Sequence, residues 1–203
     1  MPPFSWRVNP TDLIKSFEAE HQNPASGALF FWAVWAVDSL HYLDDIDRTY
    51  DTSHATIADH RPDVVDVAHA RWATATSITA LDLCAAGLGH AFCDQQGTYE
   101  LALAHFDPDI SSHQDRRSKL PSPARKWVDA VHADPQYKTI KDSRDELTHS
   151  RIPRHFTLAT AGPPQRLELE LDGVKVGVRQ LVEAARDCAT RHVSDFIEKL
   201  PQL

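Results

Sequence analysis

No stretch of this chain has the apolar length of a membrane span. The longest apolar run is ALFFWAVWAV, residues 28–37, which Asp38 ends. Crossing a bilayer takes roughly 20 such residues, so the run predicts a buried helix and no membrane partner. The N-terminal MPPFSWRVNPTD lacks the apolar core of a secretory signal. Cysteine is scarce: Cys84, Cys93 and Cys188 are odd in number and show no zinc-type spacing. They read as reduced core thiols of a cytoplasmic protein, which excludes a disulfide framework. Repeats and low-complexity tracts are missing too, which excludes solenoids and tails. No HxxxH pair occurs, and no metal or other cofactor is expected.

What is present suits one globular domain over residues 1–203, with 42% hydrophobic and 25% charged residues and five tryptophans. The formal charge is −8, unevenly spread. Residues 115–155 hold ten Lys or Arg against six Asp or Glu, a balance of 10 − 6 = +4; the remainder carries 11 − 23 = −12. An acidic chain does not coat nucleic acid indiscriminately, because that affinity comes from phosphate neutralisation. One basic sector can still meet a polyanion on one face.

Periodicity predicts mostly helix. Residues 1–23 hold a short helix after Asn9-Pro10-Thr11, forming an N-terminal arm. Residues 25–48 and 63–93 read as long apolar helices, the first either central or facing a partner because its aromatics cover nearly all sides. Trp32, Trp35, Trp72 and Trp127 fall on apolar faces and are expected in the core. Residues 94–121 are a polar loop region with a short helix near Leu101–Phe106. Pro123 and Pro135 each open a helix, the second ending before Pro153. The period then drops to 2. Phe156 and Leu158, Leu167 to Leu171, and Val174 and Val176 alternate around the turn signal Asp172-Gly173, giving a β-ribbon insertion at 155–177. An amphipathic helix closes the chain at about 178–199. The fold class is all-α: a bundle of four main helices, short extra helices and a small antiparallel ribbon before the last helix.

The chemistry centres on KDSRDELTHSRIPRHF, residues 141–156. Arg144 and His149 lie five apart with Asp145 and Leu147 between them. The spacing alone is weak. With 14 arginines and 12 histidines in 203 residues, each Arg–His spacing arises about 0.8 times by chance. The looser pattern, an arginine five to seven residues before a histidine, recurs as Arg48 with His54, across a polar helix end, and as Arg186 with His192, beside an apolar stripe. Arg144 and His149 differ in context. They sit in the basic sector near a helix end, a polar residue follows the arginine, and Leu147 can fix that turn to a core. The pair is about 140° apart around the axis, whereas Asp145 and His149 share a face, so the carboxylate can orient the imidazole. Lys138, Lys141, Arg151 and Arg154 are the expected RNA-binding cations. Metal-free RNA cleavage needs a base for the 2′-hydroxyl, an acid for the 5′-oxygen and a cation on the phosphate. One copy supplies one histidine of this kind, and a two-fold dimer supplies two.

RDELTHSRI, residues 144–152, resembles the Arg-polar-x(3–5)-His signature of the HEPN superfamily. The resemblance implies an all-α bundle that dimerises, with the motif lining the cleft and cleaving RNA without metal. Arg144 and His149 would be catalytic and Asp145 the polar residue after the arginine. It also implies roles in toxin–antitoxin or phage-defence systems, with an antitoxin protein as a partner. Some family toxins carry a modifiable tyrosine two residues after the histidine; here that position is Arg151. Two other readings remain open. One is a non-catalytic helical module binding RNA or protein. The other is a metal-dependent hydrolase built on Asp38, His41 and Asp45, with Asp66 or His69 from the next helix.

Overall fold

The computed structural model describes residues 24–57, 62–93, 102–149, 156–158, 167–171 and 174–203. Its helices are α1 (Pro24–Ile57), α2 (Pro62–Phe92), α3 (Gln114–Lys119), α4 (Ser122–His132), α5 (Pro135–His149) and α6 (Val178–Lys199). Single 3₁₀ turns occupy Leu103–Phe106, Ser111–His113 and Leu200–Gln202. The fold is an all-α bundle with a small sheet between α5 and α6.

The expected N-terminal helix falls on residues 1–23, outside the described residues. The first long helix runs on to Ile57, past the expected end near Arg48. Nothing between Arg48 and Ile57 is a proline or glycine, and Tyr50 buries completely, carrying the helix onward.

The central element is α2. Ala73, Ala80, Leu81, Cys84, Ala85 and Leu88 have no more than traces of exposure, and α2 packs on α1, α5 and α6. Small residues allow the close approach. A Cβ on Gly87 would meet Trp32 Cβ at 3.1 Å, tighter than most such contacts, so glycine lets α1 and α2 cross without Trp32 giving way. Against α2, α1 presents Leu29, Ala33, Ala36, Leu40 and Leu43, all buried. Its opposite stripe, Phe31, Trp35, Asp38, Tyr42 and Asp45, is exposed. The helix is therefore not central.

The tryptophan expectation is corrected here. Trp127 is buried at 1% exposure, its Nε1 donating to His192 O at 2.8 Å, with Phe196 5.0 Å away edge-on. Trp35 and Trp72, at 54% and 53% exposure, are on the surface. Both helices are apolar nearly all round, so side-chain type alone did not say which face turns outward.

The region between α2 and α4 is more ordered than a polar loop. Residues 94–101 lie outside the described residues, but Leu103, Phe106 and Leu120 are buried, each burial contributing about 2 kcal/mol. Arg117 ties the segment down, donating from Nη1 to Phe106 O at 3.0 Å and from Nη2 to Asp129 Oδ1 at 2.6 Å. The α4, α5 and α6 expectations match the structure closely, since Pro123 and Pro135 sit in the first turns of their helices.

The sheet has three antiparallel strands, β1 (Phe156–Leu158), β2 (Leu167–Leu171) and β3 (Val174–Gly177), in that order. Phe156 pairs with Leu169, and Leu171 with Val174. The last pairing leaves just Asp172 and Gly173 to join β2 to β3. The sheet delivers the chain to α6, whose Leu181, Val182, Ala185, Ala189, Val193 and Phe196 bury at helical spacing. No helix among the described residues is long and apolar enough to cross a membrane.

Candidate active site

Lys138, Lys141, Arg144 and Asp145 project from α5, and His149 is its last residue. The α5 core face is Tyr137, Ile140, Ser143 and Leu147, a 3–3–4 spacing that leaves the cations on the flank. Leu147 is fully buried, so the turn between the arginine and the histidine is docked as its position suggested. Lys138 is exposed and Lys141 partly so. The side chain of His149 and all of Arg151 and Arg154 lie outside the described residues.

Arg144 is 32% exposed, and its Nε lies 3.2 Å from Asp145 Oδ1. The alignment is poor, and this buried Nε–H has no hydrogen-bond acceptor among the described residues. Asp145 also meets Lys141 Nζ at 3.5 Å, one helical turn back. The carboxylate thus collects two cations of its own helix. It was expected to orient His149; its described contacts are with Arg144 and Lys141.

A second carboxylate stands behind the arginine. Asp82 of α2 accepts Leu103 N–H at 2.8 Å. Burial pushes the Asp82 carboxyl above the usual range, opposed by the Leu103 hydrogen bond and by the charges of Arg144 and His105. Tyr137, two turns before Arg144 on α5, has its phenol pushed upward by burial and by the negative charge of Asp82. His132 completes this side, with Nε2 3.2 Å from Leu103 O. Asp82 was not foreseen. Its signal was an acid inside the apolar run ITALDLCAAGL, a place where a carboxylate is costly unless bonded.

Of the other Arg–His pairs, Arg186 and His192 resolve as structure, and the side chain of His54 lies outside the described residues. Arg48 makes an exposed ion pair with Asp45 at 3.1 Å. Arg186 bonds Asp47 of α1, as does Arg179 at 3.1 Å, while His192 turns to Asp134 at 2.7 Å. Arg186 and His192 therefore serve different contacts. For the hydrolase set, Asp38, His41 and Asp45 are exposed on α1. Asp66 accepts from Tyr50 Oη at 2.7 Å, and His69 Nδ1 is bonded to Val65 O at 2.9 Å. These five are not gathered around one point.

The exposed aromatics form a surface of their own. The rings of Phe31 and Trp35 of α1 lie 5.9 Å apart, a shallow groove runs between Trp35, Tyr42, Thr76 and Thr79, and Trp72, one turn before Thr76 on α2, is exposed as well. Along α2 the exposed row Trp72, Ala75, Thr79 leads in one more turn to Asp82. The aromatic surface and the surroundings of Arg144 are thereby joined along one helix. Comparison of the chain with protein-family models, with curated proteins and with solved structures finds no match.

Proposed function

We propose that this chain is a HEPN-type, metal-independent endoribonuclease with a composite groove between two copies, acting as a toxin or phage-defence effector. The observation that carries the reading is the setting of Arg144: a guanidinium one-third exposed, with an unbonded Nε–H, on a helix turn anchored by buried Leu147 and followed by His149. Lys138 and Lys141 extend positive charge along the same helix, the arrangement a phosphate backbone meets. The aromatic surface on α1 and α2 supplies an apolar contact for the second copy.

In this reading His149 of one copy removes the 2′-hydroxyl proton, and the oxygen attacks phosphorus. Arg144 holds the two non-bridging oxygens as charge gathers on them. His149 of the other copy gives its proton to the departing 5′-oxygen. The products are a 2′,3′-cyclic phosphate and a free 5′-hydroxyl. Asp145 takes the part of a positioning residue, holding Arg144 and Lys141 in place.

The test is cleavage of single-stranded RNA by the purified protein in EDTA, with the same sequence as DNA spared. His149→Ala should lose cleavage while keeping its helical spectrum. Arg144→Lys should fail nearly as badly, because an ammonium cannot reproduce the paired hydrogen bonds. Asp145→Asn should retain part of the rate. Cleavage unaffected by either motif substitution would overturn the reading. The alternative, a helical binding module without chemistry, draws on the ion pair of Arg144 with Asp145 and on the exposed aromatics. Under it, RNA or a protein partner binds and is never cut.

A further inference from the structure

The turn between α4 and α5 sets Asp134 against Cys188 and His192 of α6. Those two are four residues apart, so they stack on one helix face. One ligand atom from each of the three residues lies within 4.8 Å of the others. His192 Nε2 is 2.7 Å from Asp134 Oδ2, and Cys188 Sγ is 3.9 Å from the same oxygen. Cys188 and His192 are buried, and Asp134 is at the rim, where Arg191 and the Gln136 N–H also reach its carboxylate. Among the described residues no other group of three such ligands is brought together.

We propose that Asp134, Cys188 and His192 form a site for a zinc-class divalent cation, with a fourth position open to water. This reading does not rest on the ribonuclease. Thiolate, imidazole and carboxylate are the donors such an ion takes, at about 2.0 to 2.3 Å in a tetrahedron. Donors at those lengths stand roughly 3.3 to 3.6 Å apart. His192 and Asp134 must part by about 0.6 Å, and Cys188 Sγ must close by about 0.3 Å on the Asp134 oxygen and by up to about 1.2 Å on His192 Nε2, shifts within reach of side-chain torsions.

Charge and protons balance. The ion displaces the thiol proton of Cys188 to solvent, and the neutral imidazole carries its proton on Nδ1 while Nε2 ligates. A dication with one thiolate and one carboxylate is neutral, which suits a buried place. Without metal the thiol stays protonated, pushed up to about 12 by burial and by the Asp134 charge. Arg191, 54% exposed, has room to swing into solvent as the ion enters. The bound ion would fasten the start of α5 to α6. That point is about 15 Å along the axis from Arg144, so the ion would brace the helix and take no part at the motif.

The test is titration of the EDTA-stripped, dialysed full chain with cobalt(II), followed by zinc. One equivalent of cobalt should raise a thiolate-to-cobalt charge-transfer band, and zinc should abolish it. Cys188→Ser should lose the band, while Cys84→Ser and Cys93→Ser keep it. Should Cys188→Ser fail to fold, X-ray absorption on the wild-type zinc adduct decides, with one sulfur and the rest nitrogen or oxygen expected. No band at one equivalent, an undiminished band in folded Cys188→Ser, or a zinc shell without sulfur would each overturn the site.

Discussion

Leu147→Ala tests whether the motif turn is docked. Leu147 is fully buried in the main core cluster, on the same α5 face as Tyr137 and Ile140. Truncation removes three carbons, about 2.4 kcal/mol at 0.8 kcal/mol each, and leaves a cavity that only partly collapses. The total comes to about 3 to 4 kcal/mol. For a chain of this length each kcal/mol moves the melting midpoint by about 2 to 4 °C, so a fall of roughly 6 to 16 °C is expected. Thermal melts followed by far-ultraviolet circular dichroism read it. Leu147→Met, which nearly conserves volume, should cost less than about 1.5 kcal/mol, and exposed Thr148→Ala about 0.5 kcal/mol or less. Hydrogen exchange in the last turn of α5 should quicken in Leu147→Ala only. A fall of less than about 2 °C would refute the reasoning, because the turn between Arg144 and His149 would then lack the anchor assigned to it.

Asp47 receives both Arg179 and Arg186 from α6 and is largely buried. Asp47→Ala should cost about 1.5 to 3 kcal/mol by removing the acceptor the two guanidinium groups share, although Arg179 keeps Glu183 and Arg186 keeps Asp187, and adding Arg186→Ala should recover part of that loss in urea unfolding. Arg186→Ala is correspondingly a stability variant and a poor bystander control for cleavage. Burial dominates at Asp82 and raises its pKa against the Leu103 N–H and the charges of Arg144 and His105. A raised carboxyl pKa stabilises the fold at low pH, and that contribution fades as pH climbs from about 4 through the folded value. Wild type should therefore lose stability relative to Asp82→Asn over that window, and parallel pH profiles would contradict the assignment. Light scattering should show a dimer at micromolar concentration, and Trp35→Ser with Trp72→Ser should give a helical monomer. A wild-type monomer would remove the paired groove.

Local signals carried most of the fold. Pro123, Pro135 and Pro153 bracketed α4 and α5, because a pyrrolidine ring fits a first turn and disfavours helix before it. The change from a 3.6 to a 2 period located the strands, and the 171–174 pairing fits the Asp172-Gly173 signal. Failures came where a face had to be chosen without contrast. Trp35 shares a stripe with Asp38, Tyr42 and Asp45; those neighbours, more than the indole itself, report the outward side. For the site, the helix, its anchor Leu147 and the flanking lysines were legible. The buried carboxylate of Asp82, whose titration feels the Arg144 charge, was not, since tertiary packing alone brings α2 near α5. The same holds for His192 and Asp134, 58 residues apart. Cys188 and His192 at four-residue spacing are readable as one helical face, but the cysteines show no zinc-type spacing among themselves and the metal set legible in the sequence was Asp38, His41 and Asp45 with Asp66 or His69.

The central claim is that Arg144 and His149 cut RNA through its own 2′-hydroxyl. Its most direct measurement is mass spectrometry of the RNA fragments made in EDTA by wild type and by His149→Ala. The account predicts 2′,3′-cyclic phosphate and 5′-hydroxyl ends from wild type and intact RNA from the variant. Fragments ending in 3′-hydroxyl and 5′-phosphate, formed only when a divalent metal is added, would contradict it.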